Sequence, residues 1–189
     1  MVAAIQADHQ IVRRYAEKYS QLDRTSASLL VDMFRKIGFQ MMVAYRVMRF
    51  FHASRIPAAP MVVSRLMRHA YGSDIHWEAQ FEPGVAIVHG MGLCIARGAR
   101  VASGVVLFQG VTLGESASGD SRTIGSPTLE PDVHVGPGVT IIGPVTIGAA
   151  SKIMAGCVVT RSIPPASIVE APVAVVRARV SAFARAAAQ

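Results

Sequence analysis

Residues 129–160 read LEPDVHVGPGVTIIGPVTIGAASKIMAGCVVT, and an aliphatic side chain returns at every sixth position along this stretch. The same spacing of apolar residues runs through two earlier stretches. The positions of this six-residue repeat are Ile75, Phe81, Ile87, Ile95, Val101, Leu107, Leu113, Leu129, Val135, Ile141, Ile147, Ile153 and Val159. A helix repeats about every 3.6 residues and a strand about every 2, so a strict period of six indicates a repeat architecture. We therefore predict a β-helix whose coils stack these side chains into one continuous core.

The stretches between the repeat positions have the composition of tight turns. Residues two positions before each repeat position are mostly small or branched, and glycine or proline follows at residues 136–138, 143–144 and 148. These are the residues that sharp changes of chain direction favour. Each coil is therefore predicted to hold three short strands joined by corners, and the thirteen repeat positions predict about four coils.

Composition and charge fit one folded unit. With 189 residues, of which 51% are hydrophobic, the chain can bury one sizeable core and a smaller subdomain. The net charge of +7 lacks the interleaved aromatic and basic residues of a nucleic-acid surface, so an anionic small molecule is the better partner. Cys94 and Cys157 lack the spacing of metal ligands and are predicted to pack as reduced thiols. Since the first residues show no secretory signal, we expect a cytoplasmic protein.

The first 70 residues show helical spacing of apolar residues with basic residues between them. Four helical segments are predicted, at residues 11–19, 27–35, 39–52 and 61–69. The predicted fold class is α+β, with a helical cap at residues 1–70, a β-helix at 71–176 containing an excursion loop at 114–128, and a tail at 177–189. Arginines interrupt the apolar stretch 34–67, so no membrane span is predicted. We expect the amphipathic cap to pack on its own subunit or a partner, with peripheral contact to an anionic membrane as the alternative.

Two interruptions of the repeat mark a candidate functional site, because insertions in a solenoid lie on its surface and often carry function. The first is a slip of two residues within 88–92, around His89. Glycines beside this histidine would let the backbone bulge and present the imidazole sideways. The second is the loop at residues 114–128, which is rich in Gly, Ser and Thr.

A series of motifs follows the chain in a fixed order. They are Asp74-Ile75-His76, His89, QGVTLG at residues 109–114, the exposed loop, GPG at residues 136–138 and IPPA at residues 163–166. This series resembles the serine acetyltransferases, which are left-handed β-helix, hexapeptide-repeat acyltransferases, and the resemblance covers about residues 65–176. It implies an acetyl-CoA-dependent O-acetyltransferase in which a base takes the proton of an acceptor hydroxyl. By position, His89 is implied as that base and Asp74 as the carboxylate that orients it.

The resemblance also implies where acetyl-CoA binds and how the protein assembles. Acyl-CoA is expected in a groove between neighbouring subunits of a homotrimer, with pairing of two trimers left open, and no metal is expected. The residues implied at the cofactor site are Leu113, Gly114 and Gly136 through their backbone groups, and Lys152, Pro172 and Arg177 near the nucleotide end. An ammonium group such as that of Lys152 suits a phosphate.

Departures from the family's pattern concern the acceptor. Typical members carry an aspartate that binds the substrate's ammonium group immediately before the catalytic histidine, and here Val88 holds that position at the implied acceptor site. Residues 123–127 replace the Arg-His pair that grips the carboxylate, although Arg122 lies nearby. The acceptor is therefore either L-serine or a serine-like hydroxyl, or alternatively a sugar hydroxyl of a surface polysaccharide or its precursor.

Two further expectations follow from the histidines and the C-terminus. A zinc hydratase of the carbonic anhydrase kind needs three converging histidines, and His76, His89 and His134 lack a close pair. A purely structural prism would leave the combination of Asp74, His89 and the loop unexplained. Family members that dock into the next enzyme of cysteine synthesis end in isoleucine, whereas this sequence ends at Gln189, so no docking of cysteine synthase is expected.

Overall fold

A computed structural model describes residues 1–19, 28–117, 124–172 and 174–175. Within these residues the chain forms four helices, α1 (Val2–Tyr19), α2 (Leu29–Arg35), α3 (Ile37–Ala53) and α4 (Ala59–Tyr71). Helix α1 begins at Val2, well before the start predicted at residue 11. Its early turns bury the polar residues Asp8 and His9, so apolar spacing did not reveal this part of the helix.

Sixteen short strands are described after the helices. They are β1 (Asp74–Ile75), β2 (Gln80–Phe81), β3 (Ala86–Ile87), β4 (Cys94–Ile95), β5 (Arg100–Val101), β6 (Val106–Leu107), β7 (Thr112–Gly114), β8 (Ser116–Ala117), β9 (Ile124–Gly125), β10 (Thr128–Leu129), β11 (His134–Val135), β12 (Thr140–Ile142), β13 (Thr146–Ile147), β14 (Lys152–Ile153), β15 (Val158–Val159) and β16 (Ile168–Val169). Most contain two residues, as expected where the chain turns a corner every six residues.

Three parallel sheets form the faces of a prism. Face A is ordered β1-β4-β7-β12-β15, face B is β2-β5-β10-β13, and face C is β3-β6-β11-β14-β16. The register places each repeat position beside the equivalent position one coil away, as in Ile95 beside Leu113. All thirteen repeat positions are at most 6% exposed. The prediction of parallel coils with these side chains inside is therefore confirmed.

The prism has more coils than the predicted four, because faces A and C each contain five strands among the described residues. The last coil departs from the six-residue spacing, and it pairs through a single bridge between Ile147 and Ile163 on face B and through β16 on face C. Within the core Cys157 is buried, as predicted, whereas Cys94 lies on the outer side of β4 and is exposed. Both are free thiols.

The turns that lead from face C to face A stack into one edge, which we call the C–A edge. It consists of residues 88–93, 108–111, 136–139 and 154–157, so its first turn is two residues longer than the others. Backbone hydrogen bonds link successive turns, for example from Gly110 N–H to the Met91 carbonyl at 2.9 Å and from Gly138 N–H to the Gln109 carbonyl at 2.9 Å. The predicted slip of two residues is thus a bulge on this edge.

The excursion loop leaves the three faces after β7. Its strands β8 and β9 pair antiparallel in a separate two-stranded sheet, and the chain rejoins face B at β10. Residues 118–123 of the predicted loop lie outside the described residues. The loop therefore has its own local pairing at the point where it departs from the prism.

The helices are fixed to the prism by buried polar contacts as well as by apolar packing. Arg46 of α3 donates from Nε to the Asp8 carboxylate of α1 at 2.9 Å, and both side chains are buried. The same carboxylate accepts from the backbone N–H groups of Gly84 and Val85 at 2.8 and 3.1 Å. Among the described residues, no helix combines the length and apolar character needed to cross a membrane.

Candidate functional site

The longer first turn of the C–A edge gives His89 an unusual backbone conformation. Its φ is +63°, in the left-handed region, and its side chain is exposed. Histidine tolerates this region better than most residues, although it is still uncommon. Gly90 follows with a φ of +78°, and a Cβ there would lie 2.6 Å from Met41 Sδ. Close packing of α3 against a glycine therefore holds this turn and directs the imidazole outward, as predicted.

Asp74 lies beside the same edge, at the start of β1. The Ser73 hydroxyl next to it donates to the Gly90 carbonyl at 2.8 Å and accepts from Leu93 N–H at 3.2 Å. These bonds tie the backbone of Asp74 to the turn that carries His89. The structure therefore brings the two predicted catalytic residues to one place.

The Asp74 carboxylate, however, is engaged by a residue that the sequence did not single out. Arg68, in the last turn of α4, donates to Asp74 Oδ1 at 3.0 Å, and both side chains are about half exposed. No hydrogen bond joins Asp74 to His89 among the residues that the structure describes. Because exposed ion pairs are worth only about 0–1 kcal/mol, the carboxylate is not locked in this position.

A cavity of about 440 Å³ opens directly beside His89. We call it the His89 cavity. Helix α1 contributes Val12 and Tyr15, the α2–α3 junction contributes residues 35–38, and the first C–A turn contributes Val88 and His89. Val88 is thus at the cavity wall, as the resemblance implied, whereas Arg122 lies outside the described residues.

Two cations of the His89 cavity, Arg35 and Lys36, were not recognised from the sequence. They belong to a helical segment whose charges alternate with apolar residues, which is the ordinary pattern of a solvated helix face. What places them beside His89 is the short break between α2 and α3 at Lys36. The sequence feature that could have indicated this break is Gly38, which separates the predicted helical segments 27–35 and 39–52.

A second cavity, of about 480 Å³, lies on face C and contains two of the predicted cofactor residues, Gly136 and Lys152. His134 also lines it, and burial lowers the pKa of this imidazole, with the neighbouring Lys152 and Lys18 charges acting in the same direction. Phe108 lines it as well, with its ring centroid 5.2 Å from that of His134.

An aromatic cluster joins the linings of the two cavities. Tyr15, which lines the His89 cavity, lies 5.8 Å from Phe108 and 5.9 Å from His134 between ring centroids. Tyr15 thus borders the His89 cavity and packs against two side chains that line the cavity on face C.

The other predicted cofactor residues do not lie at these cavities. Leu113 and Gly114 are on face A, and the Leu113 side chain is fully buried, so only its backbone could contact a ligand. Pro172 is exposed, and Arg177 lies outside the described residues, as does the tail predicted at 177–189. Within the described ranges no group of three or more His, Cys, Asp or Glu side chains is arranged to hold a metal ion.

Comparison with known proteins assigns the chain to a family. Residues 126–161 match the family described as "Bacterial transferase hexapeptide (six repeats)". The serine acetyltransferase of Helicobacter pylori is 32% identical over 130 residues, which are 69% of this chain and 75% of that protein. The chain belongs to the serine acetyltransferase family. This confirms the resemblance inferred from the motifs.

A second serine acetyltransferase, from Synechococcus elongatus, is 38% identical over 127 residues, which cover 67% of this chain. The chain spans 51% of the length of that relative. Among solved structures, Neisseria gonorrhoeae serine acetyltransferase in complex with serine is similar with a TM-score of 0.75 and 25% identity, over 89% of this chain and 66% of that one. Brucella abortus serine acetyltransferase in complex with coenzyme A is similar with a TM-score of 0.74 and 24% identity, over 89% and 64% of the two chains.

Helices followed by parallel sheets of hexapeptide repeats thus constitute the serine acetyltransferase fold in this chain.

Proposed function

We propose that this protein transfers the acetyl group of acetyl-CoA to the hydroxyl of L-serine or a serine-like acceptor. The observation that carries the proposal is the exposed His89 on the elongated C–A turn, beside a cavity large enough for an acceptor. Family membership supports serine rather than a sugar hydroxyl, since the relatives are serine acetyltransferases and one solved relative is in complex with serine. A complex of another with coenzyme A supports the acyl donor.

In the proposed reaction His89 acts as general base. The acceptor oxygen attacks the thioester carbonyl carbon while the imidazole removes the hydroxyl proton. The tetrahedral intermediate then collapses, the carbon–sulfur bond breaks, and the proton passes from His89 to the departing sulfur. The products are the O-acetyl ester and free coenzyme A, so the histidine is returned neutral after each turnover. Imidazole suits this role because it exchanges protons near neutral pH.

The test is thiol release from acetyl-CoA with L-serine as acceptor. We expect His89→Ala to lower kcat by at least about 100-fold, because a positioned base contributes roughly 10²–10⁴-fold. His52→Ala is the matched control, since His52 is also exposed and lies at the far end of α3. Equal turnover by the His89 variant, or transfer to a sugar but not to serine, would contradict the proposal.

Asp74 is proposed to orient and stabilise the protonated His89 during turnover. The Ser73–Gly90 hydrogen bond keeps the two residues on one edge, and the ion pair with Arg68 is exposed enough to exchange. Two variants separate this role from a structural one. We expect Asp74→Asn to lower kcat at least about tenfold, as loss of a positioning carboxylate does, while Arg68→Ala preserves it. Equal losses in both variants would show that the carboxylate only anchors α4.

Acetyl-CoA is proposed to lie along face C, with its phosphates near Lys152 and its thioester towards His89. The face C cavity and the aromatic cluster leading from it support this orientation. Because a charge-assisted contact is worth about 1.5–3 kcal/mol, Lys152→Met should raise the KM for acetyl-CoA about tenfold or more. The KM for the acceptor should stay constant in that variant. The exposed Arg161→Met is its control, and an unchanged KM for acetyl-CoA in Lys152→Met would place the phosphates elsewhere.

We further propose that the coils are left-handed and that three copies assemble into a trimer. Gly136 and His89 lie on the C–A edge, whereas Gly114 lies at the opposite side of face A. A donor site that uses all of them therefore needs a second copy of the chain. Light scattering coupled to size-exclusion chromatography measures the mass directly. A mass near 20.1 kDa, that of one chain, would contradict the assembly.

The division into a cap at 1–70, a prism at 71–176 and a tail at 177–189 is retained as part of the proposal, together with a cytoplasmic location. Free thiols at Cys94 and Cys157 support a reducing compartment.

Peripheral contact of the cap with an anionic membrane is supported by exposed Leu66 and Val62 beside Arg65 on α4. Co-sedimentation with phosphatidylglycerol vesicles, lost in Leu66→Glu, would support the contact, and equal sedimentation with phosphatidylcholine vesicles would not.

A further inference from the structure

The charge of the His89 cavity is unbalanced for a zwitterionic acceptor. Arg35 and Lys36 line it, and none of the described residues lining it is acidic. An amino acid presents both a carboxylate and an ammonium group, so a site that reads both needs charges of both signs. Here Val88 occupies the cavity wall where the family's usual acidic residue would stand. Among the described residues, the cavity lining therefore offers positive charges to an anion and no negative charge to a cation.

The Lys36 ammonium group forms an ion pair with Asp32 but has no hydrogen bond to it. Its Nζ is buried and has no hydrogen-bond acceptor among the described residues. The Asp32 carboxylate approaches it no closer than 3.7 Å, and the other oxygen of that carboxylate bonds to His9 Nε2 at 2.8 Å. An ammonium group offers three donors, and leaving them unpaired in a buried position is costly. A ligand anion in the cavity would supply the missing acceptor.

Arg35 is available for the same ligand. It is the last residue of α2, its side chain is exposed, and it forms no ion pair or hydrogen bond within the described parts of the chain. A guanidinium binds a carboxylate in a bidentate arrangement, whereas an ammonium adds a point charge. The two neighbouring residues thus offer complementary contacts to one carboxylate.

The backbone that carries both cations is held close to the turn of His89. Gly38, two residues after Lys36, packs so closely on the first C–A turn that a Cβ there would overlap the Ile87 carbonyl oxygen. Helix α3 therefore begins in direct backbone contact with the turn that carries His89. This contact fixes the distance between the anion-binding residues and the proposed base.

We propose that Arg35 and Lys36 bind the carboxylate of the acceptor, and that the site does not read the acceptor's amino group. The acceptor class is then a β-hydroxy carboxylate, of which L-serine is one member, held with its hydroxyl at His89. This assignment rests on the proposed acetyl transfer. It replaces the carboxylate contact that the excursion loop provides in typical family members with one provided by the α2–α3 junction.

Acceptor analogues test the assignment in the unmodified protein. β-Hydroxypropionate retains the carboxylate and hydroxyl of serine but has no amine, whereas ethanolamine retains the amine and hydroxyl but has no carboxylate. We expect kcat/KM for β-hydroxypropionate within about threefold of that for serine, and a loss of about 10- to 100-fold for ethanolamine, as expected for a charged hydrogen-bond partner. The assignment would be overturned if kcat/KM for ethanolamine equalled that for serine. It would also be overturned if kcat/KM for β-hydroxypropionate were as low as we expect for ethanolamine.

Variants then locate the contact. Arg35→Met and Lys36→Met keep an unbranched apolar chain and remove the charge. Each should raise the KM for serine about tenfold or more through loss of a charge-assisted contact, with the KM for acetyl-CoA unchanged. Lys36→Arg should recover most of the affinity. Arg14→Ala is the control, because Arg14 is an exposed cation on α1 outside the cavity wall.

The outcomes separate the two proposals. Unchanged acceptor KM in folded Arg35 and Lys36 variants that retain His89-dependent transfer would overturn the carboxylate contact alone. Absence of transfer to any acceptor by the unmodified protein would overturn both. Circular dichroism of each variant shows whether it has folded.

Discussion

Replacing Asp8 with alanine leaves the Arg46 guanidinium buried without a carboxylate partner. Arg46 is 8% exposed, and its Nε and a terminal nitrogen lie 2.9 and 3.0 Å from the two oxygens of Asp8. The substitution also removes the acceptor of the Gly84 and Val85 N–H groups. The hydrogen bonds between α1 and residues 84–85, which lead from face B to face C, therefore depend on one side chain.

The expected cost is about 3–5 kcal/mol, the range for removing one partner of a buried ion pair. Two contacts keep it from being higher, since Arg46 still donates to the Phe81 and Glu82 carbonyl oxygens at 2.8 and 2.6 Å. Stabilities of folded domains are about 5–15 kcal/mol, so the loss is a large part of the total. With a urea dependence of about 2 kcal/mol per molar, the midpoint of unfolding should fall by about 2 M.

The measurement is urea unfolding at fixed protein concentration, followed by fluorescence of Trp77, the single tryptophan of the chain. Asp8→Asn retains the acceptor for the backbone groups and should cost less than Asp8→Ala. The double variant Asp8→Ala/Arg46→Met should be more stable than the sum of the single losses predicts, by at least about 1 kcal/mol. A midpoint unchanged in Asp8→Ala, or strictly additive losses, would refute the reasoning.

Three further outcomes are expected. Gly38→Ala should lower stability by about 1–3 kcal/mol and should also lower acetyl transfer, because the new Cβ displaces α3 from the Ile87 carbonyl and so from the turn that carries His89. Unchanged activity would argue against that contact. Burial and the charge of Lys152 lower the pKa of His134 below its ordinary value of 6.5, so the unfolded chain binds more protons and stability falls as pH drops through that value. The fall in Tm between about pH 7.5 and 5.5 should therefore be smaller in His134→Gln than in the unmodified protein. Leu107→Ala, which empties a fully buried position of face C, should cost about 2–5 kcal/mol by calorimetry, and a cost below 1 would mean that the coil collapses around the cavity.

The prism was predictable because its determinants are local and repeated. Each inward position, such as Leu107, is set by the same six-residue spacing, and stacking of equivalent coils needs no information beyond that period. The bulge at His89 and the excursion loop were predictable for the same reason, since each interrupts the six-residue spacing of the apolar positions. The extra coil was missed because its register at Ile163 no longer follows the spacing.

The residues contributed by the helical cap were not predictable from periodicity. Helix α1 is held by the buried Asp8 as well as by an apolar cluster around Val12, and the polar Asp8 and His9 interrupt the apolar spacing of its first turns. The pairing of Asp74 with Arg68 joins a strand to a helix through side chains whose positions depend on how α4 ends. Such pairings depend on distances between elements, which sequence spacing does not encode.

The sequence by itself determined the β-helix, the exposed histidine and the family. A strict six-residue spacing makes each departure from it visible in the sequence, and the motifs occur in the family's order. Only the tertiary structure decided what faces that histidine. Arg35 and Lys36 line the His89 cavity because Gly38 allows α3 to pack against the turn that carries His89. The physical reason is that a repeat fixes each coil through its nearest neighbours, whereas a cavity between a helical cap and a prism is defined by the packing of residues far apart in the chain.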